Sequence, residues 1–429
     1  MTNETLIRIM QFRQFKEEIR GSQEYLIVGI DISKDKQHAF FGTANGKTLL
    51  RRLIFSNNLE GFSKLLSRAD AIKAQNGLSK IVFGLEPTSN YHKPLGMHLI
   101  RCDREVVMVS GVAVKRNREL LNGRWDKNDT KCAANVADLI SQGKCLFYDS
   151  PSSEISGLRE LLSLRERIKK NHHSLRMRIR GNLLAKYFPE FDRYFGQCPS
   201  ESLAIVKYCL DPGKIAGMDF EQFMCTVTTR DRGIAQQRRL RKIYDLAIES
   251  IGCSMNRFAE FEATVLVDQV QQTKQLIGQI DDRIDQAASA FIEYHCLLTI
   301  PGFGPYVSAL VLAKIGDPFR FENRGQVIKM AGYDLSAKRS GKSSNKAIPV
   351  ISKKGSNSLR YALFQAALIA SARNKHFIRY FTNTLKGREK ERGIKIKMRV
   401  KLASKMLIIA WTLMKKRIDF NPDFLLTEE

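Results

Sequence analysis

Acidic residues are scarce in this sequence relative to basic ones. The 429 residues include 70 lysines and arginines against 44 aspartates and glutamates, which gives a formal net charge of +26. An excess of this size requires an anionic partner, and nucleic acid phosphates are the usual one. An anionic membrane surface is the alternative that the charge by itself leaves open.

Long apolar runs are missing as well. No stretch has the length and hydropathy of a membrane span, and the N-terminal segment, rich in Arg, Gln, Glu and Lys, lacks the pattern of a signal peptide. We therefore expect no membrane partner. Hydrophobic residues still make up 43% of the chain, which is typical of a globular protein with about two or three domains.

Paired cysteines are the third absence. The eight cysteines never form a Cys-x-x-Cys pair, so the sequence predicts neither a zinc site nor a disulfide framework. Scattered free thiols fit a reducing compartment, and we expect a cytoplasmic protein.

The N-terminal part of the chain has the pattern of an α/β domain. Tyr25–Asp31 and Lys80–Glu86 are apolar runs that predict buried strands, and each of them ends in an acid. Between them, Gln37–Gly42 and Lys47–Ile54 predict a hairpin, with Asn45-Gly46 as a two-residue turn. The predicted elements that complete this α/β layered domain over 24–148 are a strand at 106–109, helices at 59–74 and 129–142, and a helical extension over 1–23.

The remainder of the chain is predicted to be mainly helical. Leu158–Leu184 and Val267–Ala287 repeat apolar residues at helical spacing, which predicts a coiled-coil hairpin over 149–295 with an irregular insertion at about 190–235. Residues 296–429 open with a short helix, the turn Ile300-Pro-Gly-Phe-Gly304 and a second helix. This is a helix-hairpin-helix pattern, in which amides near Gly302 and Gly304 can hold a DNA phosphate. An ordinary tight turn is the alternative.

Three acids are candidates for a metal site. Asp31 and Glu86 meet at one sheet edge if their strands are neighbours, and Asp129 at the start of a helix could supply a third ligand. Carboxylates that converge need a cation, and Mg²⁺ prefers oxygen ligands and can grip a scissile phosphate. Alternatively, Asp31 is a turn residue, Glu86 a surface acid and Asp129 a helix N-cap.

A candidate nucleophile lies in a cationic loop rich in small residues. Ser340 is flanked by Lys338, Arg339 and Lys342, which would bring a phosphodiester to its hydroxyl and stabilise the transition state. From spacing alone, a phosphate-binding loop without chemistry is the stronger interpretation. A second basic run at 386–399 contains three further candidates for nucleic acid contacts, which are Lys395, Lys397 and Arg399.

These motifs together resemble one family, the insertion sequence 110 transposases. The N-terminal motifs that carry the resemblance are Gly29-Ile-Asp-Ile-Ser-Lys34, Leu85-Glu-Pro-Thr-Ser-Asn-Tyr91, Lys127-Asn-Asp-Thr-Lys131 and Ala137-Asp-Leu-Ile140. The C-terminal ones are Ile300-Pro-Gly-Phe-Gly304, Met330-Ala-Gly332, Lys338-Arg-Ser-Gly-Lys-Ser-Ser344, Lys353-Lys-Gly355 and Leu359-Arg-Tyr-Ala-Leu363. The resemblance covers nearly the whole chain, in the order of the family.

The resemblance implies a fold and an activity. The fold is a RuvC-like, ribonuclease-H-type domain over 24–148, a coiled-coil linker over 149–295 and a helical transposase domain over 296–429. The activity is site-specific recombination of donor and target DNA, guided by a structured non-coding (bridge) RNA of the element in a bacterial or archaeal cell, close to the nucleoid. Site choice would then belong to base pairing.

The resemblance also assigns roles to single residues. Asp31, Glu86 and Asp129 match the first three acids of the DEDD set, and Ser340 matches the serine that becomes covalently linked to DNA. The fourth acid of the set falls three residues after the third, where this chain has Cys132. A thiol is a poor Mg²⁺ ligand, so we expect a three-acid site with weakened metal affinity, and Asp126 is the alternative fourth ligand.

Two other functions are compatible with the sequence. A metal-dependent junction-resolving nuclease would need the acids and not Ser340, and a catalytically inactive transposase copy would bind nucleic acid through its basic helices alone. The coiled coil predicts at least a dimer, and the joining of two duplexes suggests a tetramer.

Overall fold

A computed structural model of the chain describes residues 3–87, 89–122, 129–197, 199–228, 233–336 and 350–425. Asp126 and the loop with Lys338, Arg339, Ser340 and Lys342 therefore lie outside the described residues. The chain divides into two compact units, Met1–Pro151 and Ser152–Glu429.

The first unit is built on a mixed six-stranded sheet. Its strands are β1 (Tyr25–Asp31), β2 (Lys36–Thr43), β3 (Thr48–Ser56), β4 (Lys80–Leu85), β5 (Glu105–Met108) and β6 (Leu146–Phe147). The order is β3-β2-β1-β4-β5-β6, with β1, β4 and β5 parallel and the others antiparallel to their neighbours. The β2–β3 turn is not the two-residue turn predicted, because Thr43 and Lys47 close a longer loop in which Gly46 adopts a φ of +89°.

Helices cover both faces of this sheet. They are α1 (Asn3–Glu18), α2 (Leu59–Gln75), α3 (His92–Arg101), α4 (Gly111–Asn122) and α5 (Asp129–Ser141). Alternate residues of a strand point to opposite faces, so Leu26, Val28 and Ile30 of β1 pack in one core, while Tyr25 and Ile27 pack in the other. The N-terminal helix α1 contributes to this second core, to which α5 also belongs.

The second unit is mostly helical. It contains α6 (Ser153–Arg178), α7 (Ala185–Tyr187), α8 (Pro199–Tyr208), α9 (Pro212–Ala216), α10 (Phe220–Val227), α11 (Ile234–Ile248), α12 (Arg257–Ala288), α13 (Ile292–Leu298), α14 (Pro305–Ile315), α15 (Arg324–Ala331), α16 (Asn357–Arg373), α17 (Lys375–Leu385) and α18 (Ile394–Lys416). Two short strands, β7 (Leu335–Ser336) and β8 (Val350–Ile351), form an antiparallel pair. Within the described ranges, no helix combines the length and hydropathy needed to cross a membrane.

The long helices α6 and α12 run antiparallel and connect two hydrophobic cores. Leu158 near the start of α6 and Ile284 near the end of α12 share one core with the C-terminal helices. Leu175 near the end of α6 and Ala263 near the start of α12 share a second core with α8 to α11. The segment predicted as an irregular insertion therefore has a core of its own.

Candidate functional site

The two acids predicted at strand ends lie side by side. Strand β1 is parallel to β4, with Ile30 paired to Leu85, so Asp31 and Glu86 follow at the same edge of the sheet, one residue further on. Neighbouring strands are about 4.8 Å apart, which puts the two backbones within reach of one shared ligand. Both side chains are partly buried.

The third acid is on the same face of the sheet as the first two. A Cβ built on Gly29 would lie 2.6 Å from the Ala137 amide nitrogen of α5, so α5 crosses β1 at close range. Asp31, two residues along the strand, points to this same face. Asp129 is the first residue of α5 and is exposed.

A histidine connects Asp129 to the sheet. His38 of β2 is paired directly opposite Asp31, so the two side chains share a face. Its Nδ1 atom is 3.2 Å from Oδ2 of Asp129, and its side chain is 11% exposed. Sequence analysis did not single out His38, although pairing the two predicted strands around the turn at 32–35 would have placed it opposite Asp31.

Glu86 lies against the beginning of α4. Its Oε1 atom is 3.0 Å from the position that a Cβ of Gly111, the first residue of α4, would take. The positive end of a helix dipole stabilises a carboxylate at such a place. Glycine at position 111 leaves the space in which this carboxylate sits.

The carboxylates share an edge and a face, but they do not form a tight cluster. Within the part of the chain that the structure describes, no three His, Cys, Asp or Glu side chains lie close enough together to hold one ion. The donor set is nevertheless suited to Mg²⁺, since Asp31, Glu86 and Asp129 offer only oxygen ligands.

Cys132 is part of the packing between α4 and α5. Its side chain is 1% exposed, and its sulfur is 3.7 Å from the Nη2 atom of Arg118 in α4. Further along the same interface, Asn117 donates to Asn135 at 2.8 Å and to Asp138 at 2.6 Å. Asp138 therefore belongs to the helix–helix contact.

The described residues on either side of the segment that contains Ser340 form a closely packed base. The two ends of this segment are joined by the β7–β8 pair, and Ser352 donates a 2.5 Å hydrogen bond to Asp334. Below them, a Cβ on Gly355 would meet the Met330 carbonyl oxygen, and Arg360 donates to the Ala331 carbonyl oxygen at 2.8 Å. The C-terminal motifs noted in the sequence thus hold the two ends of this loop together.

The two glycines of the predicted phosphate-binding turn have different environments. Gly302 has a φ of +91°, and a Cβ there would lie 2.5 Å from the Ala366 carbonyl oxygen of α16. This glycine permits close packing of the turn on α16. Gly304 is the N-cap of α14. It has open space around it, and a glycine has no side chain that could cap the first turn of the helix.

Of the basic residues predicted to contact nucleic acid, some are exposed and others contact side chains within the protein. Lys395 and Lys397 are exposed, whereas Arg399 is half-buried with its guanidinium 5.4 Å from the Phe381 ring centre. On α6, Arg165 is paired with Asp281, and just beyond the end of this helix Arg180 is paired with Asp192. Part of the charge of α6 is therefore neutralised within the protein.

Comparison with known families identifies the chain. Residues 28–189 match the DEDD transposase model of IS110, and residues 294–382 match the transposase IS116/IS110/IS902 family. No curated protein matches the chain. The protein is thus a transposase, whose substrate is DNA; the first match covers most of the α/β unit and the beginning of the helical unit, and the second lies within the helical unit.

The chain belongs to the IS110 family of transposases. The N-terminal match contains Asp31, Glu86 and Asp129, and the C-terminal match contains Gly302, Gly304 and the base of the Ser340 loop.

Proposed function

We propose that this transposase is an RNA-guided recombinase that cuts and rejoins DNA through Ser340, with help from a carboxylate site that binds Mg²⁺. The observation that carries the proposal is the sheet edge shared by Asp31 and Glu86, with Asp129 on the same face in contact with His38, within a DEDD transposase domain. The α/β unit would then be RuvC-like, and the α6–α12 pair would be the coiled coil of the family.

Ser340 is the nucleophile in this proposal. Its hydroxyl would give up its proton as its oxygen bonds to the phosphorus of the scissile phosphate, while the bond from phosphorus to the leaving deoxyribose oxygen breaks and that oxygen takes up a proton. Rejoining reverses these bonds with a different DNA end. Lys338, Arg339 and Lys342 would stabilise the charge that builds up on the phosphate, and the packed base of the loop would hold its ends in place.

The acids supply the second part of the chemistry. Asp31, Glu86 and Asp129 would hold Mg²⁺, which when bound neutralises and grips a scissile phosphate. His38 would orient Asp129 through the 3.2 Å contact with its carboxylate. Exposed Lys395 and Lys397, and the first turn of α14 beyond Gly304, would bind DNA or RNA backbones, while the bridge RNA would select the sites by base pairing.

The decisive experiment compares two serines of one loop. Recombination of a supercoiled plasmid with its guide RNA and Mg²⁺ is measured for Ser340→Ala and for the control Ser343→Ala. We expect Ser340→Ala to lose both recombination and the covalent protein–DNA species on a denaturing gel, while nucleic acid binding stays within a few-fold. The control should retain all three.

The same assay separates the two alternatives. A junction-resolving nuclease would still cut DNA as Ser340→Ala and would stop as Asp31→Asn. An inactive copy would bind DNA and RNA but give no cleavage in the unchanged chain. Normal recombination by Ser340→Ala would remove the serine mechanism.

A further inference from the structure

A recess in the helical unit has one basic and one apolar side. It has a volume of about 220 Å³ and is lined by His172, Arg176, Phe195, Leu203, Val270 and Lys274. Three of these residues are basic, three are apolar and none is acidic. The recess lies between α6, α12 and the segment that leads into α8, away from the serine loop and its base in sequence.

The basic side of the recess brings together three basic side chains with no acidic residue in its lining. His172 and Arg176 are one turn apart on α6, and Lys274 comes from the facing helix α12. Elsewhere on the same helical stretch, Arg165 and Arg180 each have an aspartate partner. Bringing cations together without an acid costs free energy unless an anion binds between them, so the recess is suited to a phosphate.

The ring of His172 is held in place by hydrogen bonds to α12. Its Nδ1 atom is 2.9 Å from Oγ1 of Thr273, and the Thr273 hydroxyl itself donates to main-chain carbonyls of α12. The threonine oxygen therefore acts as the acceptor, which places a proton on Nδ1, and the backbone of Val270 makes a further hydrogen bond with the ring. Burial, followed by the neighbouring Arg176, lowers the pKa of His172, so the ring is mostly neutral near pH 7 until an anion arrives.

The apolar side of the recess is formed by the edges of core side chains. Phe195 and Val270 are each 2% exposed, Leu203 is 7% exposed, and all three belong to the core of the helical cluster. The guanidinium of Arg176 lies 5.4 Å from the centre of the Phe195 ring. An apolar floor below a cationic rim matches the two parts of a nucleotide, its base and its phosphate.

We propose that this recess binds one unpaired nucleotide of a single-stranded nucleic acid segment, with the base on Phe195, Leu203 and Val270 and the phosphate on the basic rim. With a volume of about 220 Å³, the recess is suited to a small group such as a single base. Bases in a duplex are paired and stacked, so only a loop, bulge or single strand can present one. The inference rests on the proposed function only in taking a nucleic acid as the partner.

Binding by the full chain tests the rim. Affinities for a single-stranded oligonucleotide and for a duplex are measured over a range of salt concentrations, with RNA and DNA versions of each. Arg176→Gln and Lys274→Gln should each weaken single-strand binding roughly tenfold, flatten its salt slope by about one unit and leave duplex binding within about twofold. The control Lys169→Gln, an exposed residue of α6 outside the recess, should leave the ratio of the two affinities unchanged.

The base and the proton are tested separately. A strand with one abasic position in its binding segment should bind roughly tenfold more weakly than the intact strand. The groups that face His172 are Arg176 and His173 from α6 and Lys274 from α12, while Phe195 and Leu203 do not titrate. Because a bound phosphate would stabilise the protonated form of His172, single-strand affinity should rise as the pH falls from about 7.5 to about 5.5, and His172→Gln should abolish this rise.

Two results would overturn the inference. One is an equal loss of duplex and single-strand affinity in Arg176→Gln and Lys274→Gln. The other is an abasic strand that binds as tightly as the intact one. These measurements require no strand exchange, so they stand apart from the Ser340→Ala experiment. Failure of the serine mechanism would leave the result for the recess unaffected.

Discussion

The close crossing of α5 over β1 yields a prediction that links stability to activity. Gly29→Ala places a methyl group 2.6 Å from the Ala137 amide nitrogen and even nearer to the Ala133 carbonyl oxygen, whereas ordinary contacts begin at 3.4 Å. These atoms belong to the helix backbone, so no side-chain rotation can relieve the overlap. Helix α5 must move away from the sheet, and Asp129 at its first residue moves with it.

This geometry sets the expected size of the loss of stability and of the loss of recombination activity. Overpacking of a core typically costs about 1–3 kcal/mol, and a backbone clash belongs at the upper end, near 3 kcal/mol. For a unit as long as Met1–Pro151, this corresponds to a fall in Tm of roughly 6–12 °C. A displacement approaching 1 Å at a catalytic group costs up to about a hundredfold in rate. We therefore expect recombination to fall roughly 10- to 100-fold well below the transition.

The assay pairs thermal unfolding with plasmid recombination at a low temperature. Gly157→Ala is the matched control, because a Cβ there meets nothing within 4 Å and alanine favours a helix. Adding Ala137→Gly to Gly29→Ala should not restore activity, since the nearest atoms are backbone. Wild-type stability and recombination in Gly29→Ala, or rescue by Ala137→Gly, would refute the reasoning.

Three further predictions concern charge. Replacing Lys395, Lys397 and Arg399 with Gln should flatten the salt dependence of nucleic acid binding by about one unit per lost contact, with Arg399 contributing least because it packs on an aromatic ring; an unchanged slope would show a solvated helix face. Cys132→Asp should lower the Mg²⁺ concentration needed for half-maximal recombination, because the new carboxylate adds an oxygen ligand to the metal site. The guanidinium of Arg118, 3.7 Å from the Cys132 sulfur, should pair with this carboxylate in its buried position. An unchanged Mg²⁺ requirement would show that the carboxylate binds Arg118 and not the metal. Burial raises the pKa of Glu105 from 4.5 to about 7, so the folded state loses stability as pH rises through this range, and Glu105→Gln should be more stable than wild type by on the order of 2 kcal/mol at about pH 8 and show little advantage at about pH 4; equal gains in chemical denaturation at both pH values would contradict this.

The sheet could be predicted because its signals are local. Apolar runs such as Tyr25–Asp31 and Lys80–Leu85 are buried on both faces, so they can be predicted as strands without knowing which strands they pair with. The adjacency of Asp31 and Glu86 followed from the expectation that these strands are neighbours, and their parallel register confirms that adjacency. The described helix α5 (Asp129–Ser141) falls within the range 129–142 that the sequence predicted to be helical.

Other features depend on partners that are distant in sequence. His38 acquires its place only from the register of β2 against β1 and from the position of α5 above both strands. Arg165 belongs to a run that reads as a nucleic acid surface, yet Asp281, far along the chain, neutralises it. The separate core of α8 to α11 could not be predicted either, because its short helices bury their apolar residues against one another and against α12.

The antiparallel pairing of α6 with α12 also fixes a distance. Arg165 faces Asp281 and His172 faces Thr273, so the two helices are in step along their contact. At about 1.5 Å per residue, the length of this helix pair sets the distance between the recess at His172 and the C-terminal helices. Removing one heptad from each helix would shorten this distance by roughly 10 Å and nearly keep the orientation of the recess. Removing four or five residues from each helix would also rotate the recess away from the side on which it now opens.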